Sequence, residues 1–230
     1  METGGSAAEL DESAVEPGGS TGEPEDAAHG LSEVLAALAT GRAEGSTTAV
    51  VVPLLTGPHP RLQQDIAAAA SEAATPVTVT DPLGPHPLLA GALHEQLAAK
   101  GLARADRMRM LSLVTSTDGV IIVTVGGTEA AQAADMTAVL LASRLAVPVV
   151  PAALDGDPGV EDVAARLREA GAVRPAIAPC LIGPEAVPGS LEKIAADAGM
   201  EYAEPLGAHP AIARLIALRY EVALDDVHLG

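Results

Sequence analysis

The chain of 230 residues has no tryptophan, no phenylalanine and two tyrosines. Aromatic platforms for stacking bases are missing, and so are large aromatic anchors for an interface. Any core has to be built from Ala, Val, Leu and Ile. The single cysteine, Cys180, excludes an intrachain disulfide and a multi-cysteine metal site. Cationic residues are scarce: 13 Lys and Arg stand against 31 Asp and Glu, a formal net charge of -18. Such a surface does not displace counterions from a phosphate backbone, so nucleic acid is not expected as a partner. No run of 18 apolar residues occurs, which predicts no membrane span. The N-terminus lacks the basic and apolar regions of a signal peptide, and a cytoplasmic location is the default expectation. No H-E-x-x-H, G-x-S-x-G, P-loop or C-x-x-C motif is present.

What is there is said twice. Val50 to His59 reads VVVPLLTGPH, and Ala176 to Glu185 reads AIAPCLIGPE, so Pro53, Gly57 and Pro58 recur as Pro179, Gly183 and Pro184. Further on, PLGPHP (Pro82 to Pro87) recurs as PLGAHP (Pro205 to Pro210). Upstream of each strand, GLSEVLAALATG at 30–41 matches GVEDVAARLREAG at 159–171. This is a duplicated αβ unit. Counting back from Val120 by the same offset lands before Met1. The first copy is therefore expected to lack a counterpart of the strand VIIVTV and its Gly-Gly turn.

Taken in order, residues 1–28 carry eight acidic residues and no Lys or Arg, which predicts a disordered acidic arm. A first lobe is expected over 29–103. It holds a helix through Leu31, Val34, Leu35 and Leu38 closed by Gly41, a strand over 49–55, a helix over 62–74, a strand over 76–80 and a helix over 86–100. A linker follows at 104–118, with Arg104, Arg107 and Arg109. The second lobe, 119–230, opens on the strand Val120 to Val125. A turn and one long helix from Glu129 to Leu145 come next, then strands near 147–152, 176–182 and 201–203, with helices over 160–170, 190–198 and 209–224. Strands alternating with helices predict an α/β fold with parallel sheets and right-handed crossovers.

In open α/β sheets ligands collect at the carboxyl ends of strands. Three loops qualify. His59 follows the strand VVVPLL, with Arg61 and Asp65 close behind; it is either a metal-binding or proton-carrying imidazole or a polar loop residue. Gly126, Gly127 and Thr128 form a turn that can present N–H groups to an anion or be purely structural. His86 and His209 each precede a proline and open a helix, which points to structural corners. Cys180 sits in an apolar strand and reads as a buried thiol.

The strand and turn VVVPLLTGPHPRLQQDI, the corner PLGPHPLLAGAL, the stretch VIIVTVGGTEAAQAADM, the segment AARLREAG ahead of AIAPCLI and the ending PLGAHPAIARLIALRYEVAL together resemble the CbiX-type sirohydrochlorin chelatases, which are class II chelatases. The resemblance implies two flavodoxin-like lobes, the first truncated, facing a cleft. It implies insertion of a divalent metal, Co²⁺ or Fe²⁺, into a tetrapyrrole on the way to cobalamin or sirohaem. The metal is then a substrate, exchanged for two pyrrole protons, and no organic cofactor is implied. A homo-oligomer stays open. The family's first histidine lies in an H-G-S turn after the strand this chain is expected to lack. Its second stands before an Asp-Ile pair, here Asp65-Ile66. That slot is Arg61 without gaps and His59 with a two-residue insertion, and a guanidinium cannot coordinate a metal. The resemblance thus implies His59 as the catalytic and metal-holding residue. Arg61, Gly126, Gly127 and Thr128 would bind substrate, with Glu129 and Asp135 as assisting carboxylates. A non-catalytic homologue that binds tetrapyrrole or metal, or scaffolds a partner, is the alternative.

Overall fold

The computed structural model describes residues 24–40, 49–103, 117–183 and 185–229. Helix α1 spans Pro24–Thr40. It starts earlier than the apolar pattern implies, because proline, with its fixed φ, suits a first helical turn. Five residues of the expected arm, 24–28, are thus helical. Gly41 and the three arginines at 104, 107 and 109 lie outside the described residues.

Strand β1, Ala49–Val51, pairs in parallel with β2, Val77–Val79. The ladder is shorter than the apolar run. Pro53 has no N–H to donate, so pairing ends before it. Helix α2 (Pro60–Glu72) connects the two strands, and α3 (Pro87–Ala99) follows them.

The second sheet has four parallel strands in the order β4-β3-β5-β6. These are β3 Gly119–Thr124, β4 Val149–Ala153, β5 Pro175–Pro179 and β6 Glu201–Tyr202. β3 is buried along its whole length, as expected of a strand covered on both faces. The crossovers carry α4 (Gly127–Ala133), α5 (Asp135–Leu145), α6 (Val160–Glu169) and α7 (Ser190–Asp197), and α8 (Pro210–Leu229) closes the chain. The single helix expected over Glu129–Leu145 is two helices. At Ala134 the ladder tightens, and its N–H is shared among the carbonyls of Ala130, Ala131 and Gln132.

The duplication shows in the topology. The unit α1-β1-α2-β2-α3 repeats as α6-β5-α7-β6-α8. Among the described residues the first sheet has two strands and no counterparts of β3 and β4. One face of the large sheet packs Ile121, Val123 and Ile177 against Val163 and Leu167 of α6 and Leu191 of α7. On the other face Val120 and Ile122 join Leu141 of α5 and Leu215 of α8. Leu89, Leu93 and Leu97 of α3 lie in that same cluster. The first lobe's last helix is therefore core material for the second lobe's sheet. Among the described residues no helix is long and apolar enough to cross a membrane.

Candidate functional site

The two copies of the strand-turn unit bring their carboxyl ends together. Leu55, Thr56, Gly57 and His59, from the loop after β1, line one cleft with Val125, Leu181 and Glu185 from the loops after β3 and β5. Leu55 and Leu181 are repeat counterparts, and so are His59 and Glu185. The cleft thus has an approximate twofold character written into the sequence duplication. Its empty volume, counted out to bulk solvent, is about 220 Å³. The centre of a water molecule has only about 10 Å³ to occupy, room for roughly one water, so the cleft suits an ion or the edge of a larger molecule.

Two contacts hold the copies in register. The Thr56 hydroxyl donates to the Cys180 carbonyl oxygen at 2.6 Å, a bond between residues 124 apart in sequence. Gly126 meets the loop from the other side with φ 118°, and a Cβ there would collide with the Pro58 carbonyl oxygen. Only glycine permits both the backbone angle and the approach.

His59 is the N-cap of α2. Its Nδ1 accepts from the Leu62 N–H at 3.4 Å, and its own N–H donates to Gln63 Oε1 at 3.1 Å. An Nδ1 that accepts carries no proton, so the neutral ring inferred from this bond is the Nε2–H tautomer. That form can donate a hydrogen bond from Nε2. To ligate a metal through Nε2 it must first move the proton to Nδ1 and release the Leu62 N–H.

Glu185 is half-buried. One carboxylate oxygen accepts from the Ile182 N–H at 2.9 Å and the other from the Gly183 N–H at 2.7 Å. Burial pushes its carboxyl above the ordinary glutamate range. The pull of the Ile182, Glu185 and Gly183 N–H groups, with that of the His59 ring in its charged form, is not enough to offset this. A carboxyl raised in this way is a better proton acceptor near neutrality than a solvated one. Sequence reasoning did not single Glu185 out. Its position as the counterpart of His59 was the available signal.

The Gly-Gly turn is already filled. The Asp155 carboxylate accepts from the N–H of Gly126 at 3.0 and 3.1 Å and from that of Gly127 at 3.0 Å. Donors expected to meet a ligand's anion meet an anion of this chain instead. Thr128 is exposed within α4, whose N-cap residue is Gly126, so the Thr128 hydroxyl is not the cap. Glu129 and Asp135 are exposed in the first turns of α4 and α5, and Arg61 is exposed in the first turn of α2; none of them lines the cleft.

The two corner histidines do the same job. Nδ1 of His86 accepts from the Leu88 N–H at 3.1 Å, and Nδ1 of His209 accepts from the Ala211 N–H at 3.1 Å. His209 also places Nε2 3.2 Å from Glu95 of α3, tying α8 to the first lobe. Cys180 is buried, and desolvation pushes its thiol up to about 12, which suits an inert core residue. Among the described residues no group of three or more His, Cys, Asp or Glu is placed to hold a metal ion.

Comparison with known proteins follows the same lines. Residues 7–100 match the CbiX family model. Among solved structures, one similar to the chain is SirB from Bacillus subtilis with Fe3+, at 18% identity and TM-score 0.59, covering 78% of this chain and 73% of that one. The sirohydrochlorin chelatase SirB from Bacillus subtilis subspecies spizizenii in complex with cobalt aligns at 16% identity and TM-score 0.54, covering 88% and 90%. CbiX, the terminal enzyme for biosynthesis of siroheme in denitrifying bacteria, aligns at 17% and 0.53, covering 88% and 94%. No curated protein sequence matches the chain.

Proposed function

We propose that the chain is a sirohydrochlorin-type chelatase of the CbiX family, a reading supported by the family-model match over residues 7–100 and by a fold similar to that of solved chelatases. It takes Co²⁺ or Fe²⁺ and a tetrapyrrole as substrates and works in cobalamin or sirohaem biosynthesis. The observation that carries this proposal is the cleft where His59 and its repeat counterpart Glu185 face one metal-sized opening.

Insertion breaks two pyrrole N–H bonds, and the electron pairs left on nitrogen pass to the metal. One proton goes to the Glu185 carboxylate and the other leaves through water. His59 steadies the incoming ion once its Nδ1 has given up the Leu62 N–H. The macrocycle is larger than the opening, so it sits across the mouth with its acidic side chains toward solvent. Arg61, exposed two residues beyond His59, supplies a cation for one of them. Gly126, Gly127 and Thr128 take part only if a substrate carboxylate displaces Asp155.

A second reading has its own support. His59 is occupied as a helix cap, and no three-ligand group stands in the described residues. A homologue that binds tetrapyrrole or metal without turnover fits those two facts. The two readings separate when the protein is mixed with sirohydrochlorin and Co²⁺ or Fe²⁺ and the absorption spectrum is followed. Metallation faster than in the protein-free control supports the enzyme, whereas a spectral shift on binding with no acceleration supports the second reading.

A further inference from the structure

We infer that the outer face of α1 is the contact through which two copies of this chain associate. The repeat supplies the internal control. Leu31, Val34 and Leu38 of α1 correspond to Val160, Val163 and Leu167 of α6. In α6 those three are 3%, 0% and 4% exposed, packed on Ile121, Val123 and Ala152 of the large sheet. In α1 Val34 is 57% exposed and Leu38 44%, and Leu31 is half-buried. The apolar positions are kept, but the strands that would cover them have no counterparts among the described residues. Leu35, between them on the helix, is 3% exposed and anchors α1 to its own lobe.

The occupant is a second copy for three reasons. First, Leu31, Val34 and Leu38 are spaced three and four residues apart, the spacing of a seam between two paired helices. Two such stripes are self-complementary about a twofold axis, the commonest geometry of a homodimer. Second, the seam is uncharged in a chain of net charge -18. Glu33 is the one charged residue in 30–39, and it lines the groove on the other side of Leu35, with Asp65 and Glu72 of α2. No like charges therefore meet when two stripes close, whereas a basic partner would be drawn to that groove and not to the stripe. Third, among the described residues β1 pairs with β2 alone, while its counterpart β5 pairs on both sides, so the described part of this lobe leaves a strand edge beside the helix contact. A helix stripe alone is smaller than the ~800 Å² per partner of a standard interface, which places the contact among the small, transient ones. This inference does not depend on the chelatase proposal.

Sedimentation velocity of the full chain over a micromolar concentration series tests it. The expected result is a shift from monomer to dimer with rising concentration, abolished in a Val34→Glu, Leu38→Glu double variant whose circular dichroism and Tm match the parent. A chain that stays monomeric throughout overturns the inference. So does a double variant that still dimerises, or one that loses its fold, since the stripe is then covered within the chain. Leu38→Cys gives an independent readout, because the only native cysteine is buried. Mild oxidation should give a covalent dimer with Leu38→Cys and none with Glu72→Cys, and equal crosslinking of the two also overturns the inference.

Discussion

The Thr56 hydroxyl hydrogen-bonds the Cys180 carbonyl oxygen at 2.6 Å, joining the last turn of one copy of the repeat to the strand end of the other. The bond is part-buried and is made by a residue that lines the cleft, so it sets the spacing of the two loops that carry His59 and Glu185. Thr56→Val keeps the shape and removes the donor. Its expected cost is about 1 kcal/mol, read as a lower urea midpoint with unchanged slope. A loss of metallation rate larger than that stability change would tie the spacing to catalysis.

His59 is both a helix cap and the proposed metal contact, and the two roles can be separated. His59→Asn retains an N-cap side chain, and it should leave the thermal midpoint almost unchanged while lowering metallation at least ~100-fold. His59→Ala should lose the same activity and about 1 kcal/mol of stability besides. Full activity in the asparagine variant would remove His59 from the chemistry.

Glu185 has a folded-state carboxyl above its unfolded value, because it is buried. The sign follows from linkage. The contribution to stability is fully present below the ordinary glutamate range and is lost as pH rises through the raised value. Measured against Glu185→Gln between about pH 4 and pH 7, the wild-type protein should lose relative stability as pH rises. The same substitution should slow metallation without weakening metal binding to the same degree. A flat stability difference across that range would mean that the carboxyl is not perturbed.

Asp118 runs the other way. Desolvation raises its carboxyl, but the N–H groups of Val173, Arg174 and Asp118 itself, with the Arg174 charge, outweigh that and leave it lowered. The bonds to Val173 and Arg174 are 2.8 and 2.7 Å and pin the turn that feeds β5. This stability is present above the unfolded value of 3.8 and is lost as pH falls through the lower folded value. Asp118→Ala should cost roughly 1 kcal/mol at neutral pH, with the gap to wild type closing in acid.

Cys180 is buried, with its thiol pushed up to about 12. A thiol reagent at pH 8 should therefore label unfolded protein rapidly and native protein only as fast as the fold opens. Fast labelling of the native state would contradict the burial.

Much of this was legible from the chain because duplication turns one sequence into two readings of the same unit. The order of strands and helices, the two histidine corners and the buried thiol all follow from local pattern. What stayed hidden depends on contacts through space. Nothing local announces that Asp155 reaches back 28 residues to fill the Gly126-Gly127 turn. The break at Ala134 lies in an alanine-rich stretch where helical periodicity simply continues. Glu185 was half-visible: the repeat aligned it with His59, but only the folded cleft puts both residues on the same opening.

The placement of α3 bears on how this molecule can be divided. Leu89, Leu93 and Leu97 belong to the cluster that covers the large sheet. Lys100 of the same helical end reaches Glu204, and Gln96 reaches the Pro205 carbonyl. The boundary drawn by the repeat is therefore not a boundary of folding. A gene cut between the two copies would yield a C-terminal product whose sheet face keeps α5 and α8 but loses the cover of α3, and an N-terminal product whose Leu89, Leu93 and Leu97 have lost the partners they pack against in the second lobe. The shortened copy cannot be discarded as a remnant, because the intact copy has no complete interior without it.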